Sequence, residues 1–251
     1  MSKSLPEDRK SRLRKRLEGG ETLDIAGLAE EWDVSVDTVR RDLKALEKQG
    51  LARCIRGGAM PVARPMAGFA ARLSDVSPQQ EAMARAALGL VEDGMVIAMD
   101  GGTSVLALAR ALPPLPGALV VTPAPAVALA CLTTGIDVHL IGGRLSGAGA
   151  ISVGHRTVAD ISDVSADIAF LGVCALDTTF GLGADDADEA DVKRALVAVS
   201  HRRVMIAGPD KLGRRARHRV APCDAVHTLV TTATADVTDP FAVAGMEVIH
   251  A

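Results

Sequence analysis

From Met95 onward the chain repeats one unit: a short Val/Ile/Ala/Leu run, a turn or a proline, then a helical stretch. MVIAM leads into Asp100-Gly101-Gly102-Thr103-Ser104 and a helix from about 105 to 112. ALVV precedes a helix near 125–132, and DVHLI runs into Gly142-Gly143. ADIAFLGV, a strongly helical DEADVKRALVAVS, RVMIAG and DAVHTLV complete the series. Apolar runs without alternating polarity belong to strands covered on both faces, and strands separated by helices pair in parallel. The expected fold is therefore α/β, a mainly parallel three-layer arrangement. Ligands in such sheets bind at the carboxyl ends of strands. The polar loops Asp100 to Ser104, Gly142-Gly143-Arg144, Asp177 and Asp210-Lys211 fall at such ends.

Just ahead of the series, Ser77-Pro78-Gln79-Gln80 reads as a capping box with proline at the first helical position, opening a helix to about Val91. The loop Asp100–Ser104 joins a strand to a helix start. Such a junction offers free backbone N–H groups and the positive end of the helix dipole to an anion, and Thr103 and Ser104 add hydroxyls. The same turn also fits an ordinary connection, with Asp100 capping the following helix.

The first sixty residues differ in kind. They hold 13 Lys+Arg against 11 Asp+Glu, whereas the remainder holds 15 against 20. Leu13 and Leu17 share one face of a first helix, with Gly19-Gly20 as its stop. Asp24 caps a second helix, Ile25 to Trp32. After a short turn Ser35 caps a third, ending at Gln49 before Gly50. Val36, Val39, Leu43 and Leu46 form its apolar stripe, and Thr38, Arg40, Arg41, Lys44 and Lys48 its exposed face. Helix, tight turn and helix, with donors at the start of the second, is the arrangement that enters the major groove of DNA. The next residues, LARCIRGGAM, form a hairpin whose Arg53 and Arg56 flank Gly57-Gly58 as a wing. Residues 1–60 are thus expected to be a winged helix-turn-helix domain, 61–76 a Pro/Gly-rich linker, and 77–251 an effector-binding and oligomerisation domain.

Composition closes several other readings. The aromatic residues are Trp32, Phe69, Phe170, Phe180 and Phe241, with no tyrosine, so stacking platforms for single strands and aromatic cages for quaternary amines are excluded. Cys54, Cys131, Cys174 and Cys223 are scattered, without metal spacing, as in a reduced cytoplasmic chain. The six histidines show no metal spacing either, and His139 and His227 fall in strand-like text as packing residues. No metal or cofactor is implied. The first twenty residues carry no apolar segment of the signal-peptide kind, and the most apolar stretch, 119–132, is interrupted by Pro123 and Pro125, so no membrane association is expected.

The string VSVDTVRRDLKALEKQGLARCIRGGA resembles the helix-turn-helix and wing signature of the DeoR family of bacterial transcriptional regulators. Arg56 stands where that family usually has histidine. The resemblance extends through the second half, whose family counterpart is similar to ribose-5-phosphate isomerase. It implies that double-stranded operator DNA is contacted by Ser35, Thr38, Arg40, Arg41, Lys44, Arg53 and Arg56. It implies that a small phosphorylated sugar or related anionic metabolite is bound by Asp100, Gly101, Gly102, Thr103, Ser104, Gly142, Gly143, Asp177, Glu189, Lys193 and Lys211. A homo-oligomer, dimer or tetramer, working as repressor or activator is implied as well. Two departures bear on specificity: Thr122-Pro123-Ala124 replaces a Thr-Asn-Asn run, and Asp210 replaces a serine.

The leading reading is a ligand-responsive transcriptional regulator, with repression the expected mode. The rival is a sugar-phosphate isomerase or deaminase with a basic N-terminal extension, in which Asp177 or Glu189 serves as general base. The first sixty residues, which isomerisation does not require, favour the regulator. A DNA-coating architectural protein is disfavoured by the net charge of −3. Glu189 and Lys193, one helical turn apart, equally fit a helix-surface ion pair.

Overall fold

A computed structural model of the chain describes residues 6–18, 21–49, 51–61, 69 and 77–251. It divides into two compact units, residues 1–64 and 65–251. The expected stops at Gly19-Gly20 and Gly50, most of the connecting segment 61–76 and the side chain of Arg53 lie outside the described residues.

The first unit runs α1 (Pro6–Glu18), β1 (Leu23–Asp24), α2 (Ile25–Glu31), α3 (Val36–Lys48), β2 (Ala52–Ile55) and β3 (Gly58–Pro61). Apolar residues three and four apart bury Leu13 and Leu17 of α1, Leu28 of α2, and Val39, Leu43 and Leu46 of α3 against Trp32, Leu23 and Ala59. Both helix starts are fixed by side chains. Asp24 Oδ2 accepts from the Gly27 N–H at 2.6 Å, and Ser35 Oγ from the Thr38 N–H at 3.2 Å. A buried Arg9–Asp42 ion pair at 2.7 Å ties α1 to the inner side of α3. Val36 does not join the apolar stripe. As the first residue of α3 it is 43% exposed, beyond the end of the packed face.

Strands β2 and β3 form the hairpin, and β1 pairs with β3 to give the order β1-β3-β2. The two glycines of the wing have different work. Gly57 turns the chain with φ +88°, whereas Gly58 lies so close to β1 that a Cβ would sit 2.1 Å from the Leu23 carbonyl oxygen.

The second unit contains α4 (Pro78–Ala87), β4 (Val96–Met99), α5 (Thr103–Ala111), β5 (Leu119–Thr122), α6 (Pro125–Thr133), β6 (Asp137–Leu140), β7 (Arg144–Leu145), β8 (Ser152–Val153), α7 (His155–Ser162), β9 (Ala166–Gly172), β10 (Ala175–Asp177), β11 (Gly181–Ala184), α8 (Ala187–Ala198), β12 (Ser200–Ile206), β13 (His218–Ala221), β14 (Thr228–Thr231), α9 (Ala235–Val243) and β15 (Glu247–His250). Seven strands form one parallel sheet in the order β15-β14-β12-β9-β4-β5-β6. Successive residues of β4 (Ile97, Ala98, Met99) and of β12 (Val204, Met205, Ile206) are all buried, so both faces of the sheet are covered. Helices α4, α5 and α6 pack in series, and α7 packs on α8.

From β4 the chain builds outward through β5 and β6. It then crosses to the other side of β4, enters β9 and builds outward the opposite way. The carboxyl ends of β4 and β9 therefore flank a topological switch point, where open α/β sheets form their binding crevice. Short antiparallel pieces, β10-β11-β13 and β7-β8, accompany the sheet. Strands of two to four residues carry little periodicity, so their sequences do not mark them. The packing role expected of His139 and His227 does not hold, since both are exposed.

Candidate functional site

A cleft of about 570 Å³ opens at the carboxyl ends of β4, β9 and β12. Each strand delivers one segment to it: Asp100–Ser104 after β4, Gly172–Cys174 from β9, and Ile206–Gly208 with Asp210 and Lys211 from β12. Ser77, Gln79 and Gln80 enter from the start of α4. Ala148, Gly149 and Ile151 enter from the loop between β7 and β8, Glu189 and Lys193 from α8, and Arg217 from the approach to β13.

Of the eleven residues assigned to an effector from sequence, Asp100, Gly101, Gly102, Thr103, Ser104, Glu189, Lys193 and Lys211 line this cleft. Gly142, Gly143 and Asp177 do not. Gly143 serves close packing, whereas a Cβ on Gly142 would meet nothing within 4 Å. The Gly142 carbonyl accepts from Thr157 Oγ1 at 2.8 Å, and a Cβ on Gly143 would fall 2.1 Å from that same oxygen. Asp177 shapes the turn after β10: its Oδ1 accepts from the N–H groups of Thr179 (3.0 Å) and Phe180 (2.6 Å) and from Arg215 Nε at 3.1 Å.

Glu189 and Lys193 are not a surface ion pair. Both are buried, and each serves a different part of the cleft. Lys193 Nζ forms an ion pair with Asp100 Oδ2 and donates to the Gly172 carbonyl at 2.8 Å. Burial alone lowers the pKa of this ammonium. The charge of Asp100, then the Cys174 thiol, the hydrogen bond to Asp100 and Glu189 outweigh that and hold it above the ordinary lysine value. Asp100 Oδ2 also accepts from the Gly172 N–H at 3.0 Å, so one carboxylate joins the ends of β4 and β9 to α8. Asp100 does not cap α5. The N-cap is Gly102, without a side-chain bond, which leaves the first N–H groups of the helix to other acceptors.

Glu189 Oε1 accepts from Ser146 Oγ and from the Gly149 N–H, both at 2.7 Å, and so holds the β7–β8 loop as one wall. Asp186 caps α8 by accepting from the Glu189 N–H at 3.0 Å, and Asp210 pairs with Lys211 at 2.9 Å. Four of the five carboxylates around the cleft thus have structural partners, and the α5 terminus, Lys211 and Arg217 add donors to its lining. The general base that the isomerase reading gives to Asp177 is outside the cleft, and Glu189 is committed to the loop. Among the described residues no group of three or more His, Cys, Asp or Glu side chains is placed to hold a metal, and no helix is long and apolar enough to cross a membrane.

Ser77, Gln80, Gly149 and Arg217 also line the cleft, and no local pattern marks them as lining residues. The capping box marked Ser77 and Gln80 as a helix start, but its place beside α5 is a tertiary fact. In the first unit, α3 presents Arg40, Arg41 and Lys44 to solvent. Arg41 reaches Asp37 at 3.3 Å and Arg40 reaches it at 3.8 Å, both pairs exposed. Ser35 and Thr38 share a hydroxyl contact of 2.8 Å at the helix start, and Arg56 is exposed in the wing turn.

Residues 9–63 match the DeoR-like helix-turn-helix domain, and residues 76–233 match the DeoR C terminal sensor domain. The HTH-type transcriptional regulator GlpR of Haloferax volcanii is 30% identical over 235 residues, covering 92% of each chain. The glycerol-3-phosphate regulon repressor of Haemophilus influenzae is 31% identical over 225 residues, 89% of this chain and 88% of its own. A ribose 5-phosphate isomerase of Methanocaldococcus jannaschii aligns over 53% of each chain at 17% identity with a TM-score of 0.40, too loosely to inform the site. The relatives are regulators rather than enzymes, and this chain, with both domains in order, belongs to the DeoR family of DNA-binding transcriptional regulators.

Proposed function

We propose that the chain represses transcription by seating α3 in the major groove of operator DNA, and that a small phosphorylated sugar or related anionic metabolite in the cleft changes its operator affinity. Ser35 and Thr38 at the start of α3, with Arg40, Arg41 and Lys44 along it, contact bases and phosphates, and Arg53 and Arg56 of the wing contact phosphate. A homo-oligomer, dimer or tetramer, lets two such helices reach two half-sites. The observation that carries the effector assignment is the convergence of the Gly101–Ser104 loop, an uncapped α5 terminus, Lys211 and Arg217 at the switch point of the sheet. For the ligand to act allosterically it must favour one arrangement of the protein, by about 1–3 kcal/mol.

The test is a thermal-shift screen of phosphorylated sugars and polyols, with glycerol 3-phosphate included because a relative's regulon bears that name. A ligand at 100 times its Kd adds about 2.7 kcal/mol of stability. The stabilising compound should also change the mobility shift of operator DNA. Thr103→Ala and Lys211→Ala should weaken its binding without altering DNA binding in its absence. Equal affinities for these variants and the wild type would move the pocket elsewhere.

A further inference from the structure

The capping box that opens α4 does a second task inside the cleft. Ser77 N–H, which can only donate, meets Gln80 Oε1 at 3.1 Å, and this fixes which end of the amide is oxygen. The other end, Nε2, lies 2.6 Å from Thr103 Oγ1 and can only donate to it. Thr103 is the first residue of α5, and among the described residues its hydroxyl makes no other hydrogen bond. Its oxygen is therefore used as an acceptor while its proton is left for the cleft, which Thr103 lines. Ahead of the Leu106 N–H, which bonds the Gly102 carbonyl at 3.0 Å, the N–H groups of the first turn also lack an intrahelical acceptor. Beneath the same loop, Asp100 Oδ1 is fully buried, without a hydrogen-bond partner among the described residues, so this acceptor is withdrawn from the surface that Thr103 lines.

We propose that Gln80 is a positioning residue for the effector: by donating to Thr103 Oγ1 it commits the Thr103 hydroxyl proton to an oxyanion at the start of α5, so that this end of the cleft presents donors only. The proposal rests on the cleft being the effector site and sharpens the ligand class to a fully ionised phosphomonoester. An unphosphorylated polyol, whose hydroxyls must both give and receive, is rejected there because part of its hydrogen bonding goes unmet.

The experiment uses the full chain and inorganic phosphate as probe, followed by thermal shift against chloride at constant ionic strength. Gln80→Glu keeps an oxygen for Ser77 and a side chain that suits the capping box, so folding is preserved. It replaces the donor facing Thr103 with an acceptor that captures the hydroxyl proton. Phosphate affinity should fall tenfold or more. Gln80→Met, which leaves the hydroxyl free to rotate, should cost about threefold. In a Thr103→Val background the loss from Gln80→Glu should shrink to the part due to charge alone, a coupling that a structural role for Gln80 does not produce. A Gln80→Glu loss of equal size with and without the Thr103 hydroxyl, or wild-type affinity in both Gln80 variants while Thr103→Val weakens binding, overturns the positioning role and leaves the cleft standing. No phosphate-dependent shift in the wild type overturns both.

Discussion

Replacing Lys193 by methionine tests whether the ion pair beneath the cleft is a structural member of the sheet. The ammonium is 6% exposed and its partner Asp100 is fully buried. Methionine keeps much of the stem's volume and removes the charge. Asp100 is then left in the interior with one donor, the Gly172 N–H at 3.0 Å, while the Gly172 carbonyl loses its own partner. Breaking a buried pair from one side costs about 3–5 kcal/mol. At roughly 2–4 °C per kcal/mol for a unit of this size, the melting temperature should drop by roughly 6–20 °C. Adding Asp100→Asn to Lys193→Met removes the stranded charge and should recover part of the loss, giving a coupling clearly different from zero in urea melts followed by far-UV dichroism. The pH dependence has a defined sign. The folded state raises the Lys193 pKa, so its contribution is complete below the unfolded value of about 10.4 and is lost as pH climbs through the folded one. The wild type should therefore lose stability more steeply than Lys193→Met in that alkaline range. A single-variant loss below about 1 kcal/mol, or strict additivity in the double variant, would refute a buried, coupled pair.

Arg41→Ala should weaken operator binding. If the side chain reads guanine, discrimination at one position should relax by about 1–3 kcal/mol, and if it holds phosphate the loss should be uniform and the salt slope shallower by about one; unchanged mobility shifts on operator and random DNA would remove α3 from the groove. Gly58→Ala drives a methyl into the Leu23 carbonyl and should destabilise the first unit by about 1–3 kcal/mol, read from Trp32 emission in that unit's core, whereas Gly89→Ala, with open space around it, should have little effect. Asp210→Ser removes a negative charge beside Lys211, so phosphate affinity measured by calorimetry should rise several-fold at low salt and less at high salt, and an unchanged affinity would place Asp210 outside the reach of the anion.

Local pattern carried much of the fold. Apolar runs gave β4, β9 and β12, and side-chain caps gave the starts of α2, α3 and α4, because each depends on residues within one turn of one another. Residue pattern alone made the cleft legible where a strand leads directly into it, as at Asp100–Ser104, while Glu189 and Lys193 came from the family resemblance. Lys193 meets Asp100 across 93 residues and Gln80 meets Thr103 across 23, and no periodicity encodes which strand ends become neighbours. Gly142-Gly143 and Asp177 show the converse: glycines and a turn aspartate look alike in sequence whether they face a ligand or a neighbouring helix.

The parallel sheet also separates two kinds of change. Its apolar strands are closed to substitution by packing, yet the segments that enter the cleft, 100–104, 172–174 and 206–211, are all strand exits at one rim. Cleft-facing side chains there, such as Ser104, Asp210 and Lys211, can be exchanged without disturbing the layers below. By contrast, Asp100 is anchored to Lys193, Ile206 belongs to the core, and a Cβ on Gly101 or Gly172 would fall 2.2 Å from Ile151 Cγ2 or 2.6 Å from the Gly101 carbonyl oxygen. If the cleft holds the effector proposed above, its preference can change at these loop positions while the sheet and the first unit stay fixed.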